Sequence, residues 1–258
     1  MDSLLFERHG HVAVLTLNRP EKFNSINRPL ALGIQSALDT CAADESVRCV
    51  VIKGNGRAFC AGQDLKEVTD PDGPGLSTIV AEHYNPIIDR IRSIQKPVIA
   101  AVNGVAAGAG ANIALCCDIV VAAASATFIQ AFSKIGLIPD SGGTWFLPRL
   151  IGWQRASALM MLGDKISAPE AEQMGMIYKT LPDEGFADAA LALAGKMASM
   201  PTRGLALTKQ ALNQTFSNTL QEQLALEDRL QTEAGRTNDY REGVDAFLQK
   251  RSPNFLGS

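Results

Sequence analysis

With 258 residues the chain is long enough for one large domain with a sizeable core, so size poses no obstacle to a deep ligand pocket. Its net charge is −3, and its 24 Lys and Arg are scattered, which leaves no basic footprint for nucleic acid or an anionic membrane and points to a small-molecule partner. Five cysteines (Cys41, Cys49, Cys60, Cys116, Cys117), mostly in apolar runs, form no C-x-x-C pair and no zinc spacing with histidine, so a reducing compartment and no metal are expected. The N-terminus has no basic stretch leading into an apolar one, and no apolar run reaches the roughly 18 residues a membrane span needs; the expectation is a cytoplasmic protein.

Leu4 to Phe6 and Val12 to Leu17 flank His9-Gly10-His11 and predict a hairpin. Leu30, Ile34, Leu38 and Cys41 recur at helical spacing between Arg28 and Asp44, and Arg48 to Gly54 reads as a buried strand ending in a glycine turn. The alternation repeats: Ile79, Val80, Tyr84, Ile87, Ile88, Ile91 and Ile94 mark a long amphipathic helix with a kink at Pro86, followed by a strand from Pro97 to Val102. Between these units, Thr69 to Gly75 is too rich in Pro, Gly and Asp to be regular and is a candidate mobile lid. Gly108 to Cys117 reads as a buried small-residue helix and Asp118 to Ala123 as another parallel-type strand. Beyond Met200 the pattern becomes purely helical, with Thr202 to Phe216, Thr219 to Ala234 and Asp239 to Lys250 carrying caps and apolar stripes but no obvious core of their own. Such a segment docks on the preceding core or on another subunit, which divides the chain into residues 1–200 and 201–258 and predicts an oligomer.

Three stretches could carry chemistry. Phe59 to Leu65 and Asn103 to Asn112 are small-residue turns where backbone N–H groups can approach a ligand, and Gly136 to Gly143 places Asp140 on a tight turn downstream of both. The glycines do not give G-x-G-x-x-G and no Gly-Lys-Ser/Thr follows, so dinucleotide and P-loop readings fall away. If the Ala61 turn lies beside the N-terminus of the buried helix, two amides can face one oxygen, although the glycines could equally serve helix–strand packing alone. Asp64 reads first as a helix cap, Asn112 as a satisfied core amide, and Asp140 as a turn residue or cap as readily as a base. Cys60 has no neighbouring base to activate it. Phe128, Phe132 and Trp145 could line an aromatic-tolerant pocket or simply pack the core.

The run Lys96 to Gly110, ending in Ala114-Leu115-Cys116-Cys117-Asp118, closely resembles the signature of the enoyl-CoA hydratase/isomerase, or crotonase, superfamily, as do Arg19-Pro20 with Asn24 to Asn27, Phe59 to Leu65, and Phe247 to Pro253. The resemblance covers essentially the whole chain. It implies an α/β fold with a spiral ββα core, a C-terminal helical trimerisation segment, and homotrimers often paired into hexamers. It also implies an acyl-CoA thioester substrate whose carbonyl oxygen is held by the N–H groups of Ala61 and Ala109, with coenzyme A part of the substrate and no separate cofactor. Lys22, Phe23, Ala61, Gln63, Asp64 and Leu65 would lie against the coenzyme, joined by Phe247 and Lys250 of a neighbouring subunit.

Hydratases of this family use two glutamates, and the matching positions hold Asn112 and Phe132, so hydration of a double bond is not expected. The usual Gly after Pro139 is Asp140. With Asn112 and the run Ala131 to Asp140, this looks most like the branch that isomerises the ring 1,2-epoxide of phenylacetyl-CoA to an oxepin in aerobic phenylacetate degradation. The implied mechanism has Asp140 removing a C2 proton while Ala61 and Ala109 hold the enolate and Asn112 orients the substrate; a 3-enoyl thioester would become the 2-enoyl isomer. The rival readings are Asp140 as a nucleophile, a straight-chain enoyl-CoA isomerase or hydratase-like enzyme of fatty-acid oxidation, and a non-catalytic acyl-CoA binder.

Overall fold

The computed structural model describes residues 2–258. Strands β1 (Leu4–His9) and β2 (Val12–Leu17) form the expected hairpin, paired from Leu4 with Leu17 to His9 with Val12. A 3₁₀ turn over Pro20–Lys22 leads to helix α1 (Arg28–Ala43), whose first turn is capped by the Asn27 side chain accepting from Leu30 N. Strand β3 (Cys49–Gly54) follows, then β4 (Ala58–Cys60) and α2 (Leu65–Thr69).

The long helix expected around Pro86 is present but is not uniform. It runs from α3 (Leu76–Thr78) through a π-helical turn at Ile79–Tyr84 into α4 (Asn85–Ser93). Pro86 has no N–H to offer the carbonyl of Glu82, and Gln35 takes over by donating its Nε2 to that oxygen at 2.7 Å. Next come β5 (Val98–Val102), β6 (Val105–Ala107), α5 (Ala109–Leu115), β7 (Ile119–Ala123) and β8 (Thr127–Ile129), and then a 3₁₀ turn at Ala131–Ile135. Helices α6 (Gly143–Ile151) and α7 (Trp153–Leu162), strand β9 (Lys165–Ser167), helix α8 (Ala168–Gln173), strand β10 (Lys179–Leu181) and helix α9 (Phe186–Ala198) complete this part of the chain.

Two sheets result, in the orders β1-β2-β3-β5-β7-β10 and β4-β6-β8-β9. From β2 onward the first sheet is parallel, and β4, β6 and β8 are parallel in the second. The long strands β3, β5 and β7 of the first sheet are each followed by a three-residue strand of the second and then by helix, so β3-β4, β5-β6 and β7-β8 are successive turns of one spiral: the ββα architecture expected. The corners are tight. At Gly104, between β5 and β6, a Cβ would sit 2.2 Å from the Arg57 carbonyl oxygen, so only glycine lets one turn of the spiral lie on the previous one. The central strands are buried on both faces and consist largely of Val, Ile and Ala, as parallel strands covered by helices require.

Helices α10 (Thr202–Gln214), α11 (Leu220–Ala234) and α12 (Asn238–Leu248) follow. Contrary to the sequence reading, α10 and α11 share a small core of their own, in which Leu207, Leu226 and Leu230 are buried against Ala211 and Ala234. Polar anchors tie α10 to the spiral. The buried Lys209 ammonium donates to the carbonyls of Ile91 (2.6 Å) and Lys96 (3.2 Å) and to Asp118 Oδ2 (2.8 Å), while Arg48 donates to Thr202 Oγ1 (2.8 Å) and the Met200 carbonyl (2.7 Å).

Candidate active site

The two N–H-bearing turns meet because β4 and β6 are neighbours in the second sheet, and the chain leaves both at the same edge. After β4 the chain turns at Gly62 (φ +88°), and a Cβ there would stand 3.0 Å from the Ala107 carbonyl oxygen and 3.5 Å from the Ala109 nitrogen. After β6 the chain turns at Gly108 (φ +52°) into α5, leaving the Ala109 N–H as the first donor of a helix with no acceptor in the preceding turn.

The partner donor is not Ala61, and here the sequence expectation is corrected. Ala61 donates its N–H to the Phe23 carbonyl at 3.0 Å, so that amide is spent within the fold. The reason lies far away in sequence. Pro20–Lys22 forms a 3₁₀ turn, Phe23 and Asn24 take left-handed backbone (φ +51° and +56°), and buried Asn24 pins the turn by donating to the carbonyls of Ala58 (2.8 Å) and Asn55 (2.9 Å). The Phe23 carbonyl is thereby aimed at Ala61. Two residues on, Asp64 N donates to Ile26 O and Ile26 N donates to Gly62 O, while Gln63 N–H has no acceptor among the described residues. Gln63 and Ala109 are therefore the pair of free amides flanking Gly62.

The Gln63 side chain is fixed as well. Its Oε1 accepts from the Tyr84 hydroxyl (2.5 Å) and its Nε2 donates to Glu67 Oε2 (2.8 Å). Tyr84 comes from the π turn, whose extra residue swings the phenol toward this spot. Burial first, with the carboxylates of Asp140 and Glu67 adding to it, pushes the phenol far above its ordinary range, so it acts as a neutral donor. The Asp140 turn is tied to this region by Asn112, which lies on the helix that Ala109 opens and donates to the Asp140 carbonyl at 2.9 Å.

Asp140 lies between the 3₁₀ turn at Ala131–Ile135 and α6. It is not a cap: its side chain accepts from the Ser141 hydroxyl at 2.9 Å, and its main-chain carbonyl accepts from Gly143 N at 2.8 Å. Burial pushes its carboxyl above the usual carboxylate range, and the Ser141 hydroxyl offsets this only in part. Asn112 does not project as a free group toward a ligand. It is fully buried on α5, donates Nδ2 to the Asp140 carbonyl (2.9 Å) and accepts from Gln130 Nε2 (2.8 Å) on Oδ1. It holds the Asp140 turn, and α6 begins so close to it that a Cβ on Gly143 would lie 2.3 Å from Nδ2.

The remaining expected residues are spread around this centre. Asp64 caps α2 by accepting from Lys66 N (3.1 Å) and pairs with Arg19 Nη2 (2.6 Å); although desolvation raises its carboxyl, the Arg19 hydrogen bond and the cap hold it below its ordinary range. Lys22 adds a nearby positive charge to Asp64, Phe23 stacks on the Arg57 guanidinium at 4.3 Å, and Leu65 opens α2 with its side chain exposed. Phe247 (82 % exposed) and Lys250 (φ +55°) lie at the end of α12, where Phe247 faces the groove shared with Pro201, Tyr240 and Phe255 rather than the Gln63–Ala109 pair. Of the three aromatic candidates, Phe132 packs its ring 3.7 Å from where a Gly108 Cβ would be, Phe128 is buried in β8, and Trp145 stacks on Arg149 at the surface. Cys60 is buried, and burial pushes its thiol up to about 12, which removes it as a nucleophile.

This arrangement, a half-buried carboxylate on a turn tied through Asn112 to the helix that Ala109 opens, with the Gln63 and Ala109 amides unspent, coincides with sequence kinship along the whole chain. Residues 7–258 match the enoyl-CoA hydratase/isomerase family. A 1,2-epoxyphenylacetyl-CoA isomerase of Escherichia coli K12 is 51% identical, the match covering 100% of this chain and 99% of that one, and a 2,3-dehydroadipyl-CoA hydratase of the same organism is 40% identical over the full length of both. The chain belongs to the enoyl-CoA hydratase/isomerase family. The crystal structure of an enoyl-CoA hydratase from Bacillus anthracis superposes with a TM-score of 0.93 at 32% identity, covering 99% of this chain and all of that one, so this family member has the full crotonase fold.

Tyr84, Ser141 and Gln130 carry no signal in the sequence pattern, since each acts through a partner that only the fold brings near. Gln63 was legible as a motif residue but not as the one with the free amide, because the direction of an N–H is set by which carbonyl its neighbours reach.

Proposed function

We propose that this enzyme is an acyl-CoA isomerase that works through a thioester enolate, with Asp140 as its base. The observation that carries the proposal is the semi-buried Asp140 carboxylate, with no cation paired to it among the described residues, on a turn tied through Asn112 to the helix that the free Ala109 N–H opens, with the Gln63 N–H free as well. Asp140 accepts a proton from C2 of the acyl group, the electron pair moves onto the thioester oxygen, and the two amides stabilise the charge that develops there. The same carboxyl then returns the proton further along the conjugated system. One such donor is typically worth about 10²–10³ in rate and a positioned base about 10²–10⁴, so the two devices together account for a large acceleration.

The substrate this reading favours is the ring 1,2-epoxide of phenylacetyl-CoA, converted to oxepin-CoA, in keeping with the E. coli isomerase and with the Phe132 ring beside the oxyanion turn. A 3-enoyl-CoA would become its 2-enoyl isomer by the same proton shift. Lys22, Phe23, Asp64 and Leu65 would flank the coenzyme A moiety, with Phe247 and Lys250 contributed by another copy of the chain in a trimer or hexamer. No cofactor beyond the substrate's own coenzyme A is needed. The hydratase relative supports a second reading, in which water adds to a 2-enoyl thioester. The test is to offer ring-epoxide, 3-enoyl and 2-enoyl thioesters side by side: isomerisation of the first two without hydration of the third is expected, and hydration as the dominant turnover overturns the proposal.

A further inference from the structure

We infer that Ser141 is a positioning residue for Asp140: its hydroxyl holds one carboxylate oxygen in place and leaves the other to meet the substrate carbon. The inference rests on Asp140 being the base. Ser141 is 2 % exposed and takes left-handed backbone (φ +51°), a conformation that strains a residue with a side chain and that Gly142 (φ +71°) repeats immediately after it. A turn that already uses glycine at the next two positions could relieve this strain with a third, yet serine stands at the position where a side chain is least comfortable. What the serine supplies is its hydroxyl, donated to Asp140 Oδ1 at 2.9 Å.

Every other handle on Asp140 is on its backbone. Asn112 Nδ2 and Gly143 N both donate to its main-chain carbonyl, at 2.9 and 2.8 Å, so the peptide is fixed, and the one backbone group that also reaches the carboxylate is the residue's own N–H, which moves with it. The Ser141 bond is what removes the side chain's remaining freedom, and Oδ2 accepts from no side chain among the described residues. The bond also favours the ionised carboxylate against the burial that disfavours it; the Tyr84 phenol near it is held neutral, and no cation is paired with Asp140 among the described residues.

The test uses Ser141→Gly, Ser141→Ala and Ser141→Cys in the full-length protein, reading exchange of the C2 protons of phenylacetyl-CoA in D₂O as a function of pH. Gly relieves the backbone and removes the hydroxyl, so its melting temperature should hold or rise while the rate below neutral pH falls roughly tenfold or more, the equivalent of one hydrogen bond to a charged group. The acid limb should move to higher pH in Gly and Ala, and Cys, which keeps the volume and a weak donor, should lie between them and wild type. Wild-type exchange with an unchanged acid limb in Ser141→Gly, or in Ser141→Cys and Ser141→Ala should Gly melt early, overturns the role of Ser141 alone. A wild-type protein that exchanges nothing overturns the assignment of Asp140 as base, and the role of Ser141 with it.

Discussion

Asp140→Asn separates what this carboxylate does for the reaction from what it does for the fold. The change is isosteric, and the amide oxygen can still accept from the Ser141 hydroxyl, so the turn should survive. Because burial raises the folded-state pKa above the unfolded value, the favourable contribution of this group to stability is present at low pH, where it is protonated, and is lost as the pH rises through the folded-state value. At neutral pH the wild type thus carries an ionised group the fold would rather have neutral, and Asn removes that burden. The melting temperature of the variant at pH 7 should therefore equal or exceed that of wild type, and the advantage should shrink as the pH is lowered. Activity should fall by about 10²–10⁴, the usual worth of a positioned base, with the Kd for the thioester nearly unchanged. Titration calorimetry, thermal melts between pH 4 and 8 and C2 proton exchange measure the three quantities separately. A variant that melts well below wild type at neutral pH would assign Asp140 to the architecture, and one that keeps its exchange rate would end its role as a base.

Gly62→Ala should place a methyl 3.0 Å from the Ala107 carbonyl and force a φ of +88° on an alanine, pushing the two amide-bearing turns apart; a loss of about 10²–10³ in kcat is expected, and undiminished kcat would detach these amides from the chemistry. Lys209→Met leaves Asp118 without one of its two cations and should cost about 3 kcal/mol, lowering the melting temperature by roughly 2–4 °C per kcal/mol while kcat holds; a melt within 1–2 °C of wild type, on the same scale, would show that α10 docks without it. Burial pushes the Cys41 thiol up to about 11 and those of Cys49 and Cys60 to about 12, so iodoacetamide at pH 8 should label none of them until the protein is unfolded, as intact mass spectrometry would read; rapid labelling of the native protein would place one of them in solvent.

What could be read from the sequence follows the lengths of the elements. Strands β2, β3, β5 and β7 were legible because runs of four or more apolar residues rich in Val and Ile between breakers leave little alternative, β1 because it precedes β2 across the His9-Gly10-His11 turn, and α11 and α12 because Thr219 and Thr237 cap them with side chains accepting from Glu222 N and Tyr240 N. The second sheet was not legible. β4, β6 and β8 are three residues each, too short for any period, and they exist because the spiral lays them beside one another. The π turn was hidden behind an ordinary helical pattern, since only the missing N–H of Pro86 and the distant Gln35 amide make the extra residue tolerable. The site divides in the same way. Local chemistry offered Asp140, a carboxylate after a proline, as a base no more readily than as a cap, and pointed to the first amides of the glycine-led helix; the family resemblance singled out Asp140 and Ala109. The choice between Ala61 and Gln63 depended on the Phe23 carbonyl nearly forty residues upstream, and Asn112 turned from a substrate-facing candidate into a support because α6 closes over it.

The chemistry that suits this site follows from the groups it lacks as much as from those it has. Adding water across a double bond requires a group to deprotonate the water and an acid to protonate the carbon, and the two positions where the family's hydratases keep glutamates hold a buried amide, already engaged with Gln130 and the Asp140 turn, and a phenyl ring against Gly108. Neither can take a proton from water. A double-bond shift has no net need of water or of a second acid, because the carboxyl that accepts the C2 proton becomes the acid that returns it. For that cycle the base must be weakly solvated, so that it gains strength from burial, yet firmly oriented, so that it does not swing away between the two transfers. Burial supplies the first condition through its effect on the Asp140 pKa, and Ser141 and Asn112 supply the second by holding the carboxylate and its peptide. Restoring Glu at position 112 alone should not restore hydration, since the added carboxylate would displace the Gln130 and Asp140 contacts that keep the existing base in place.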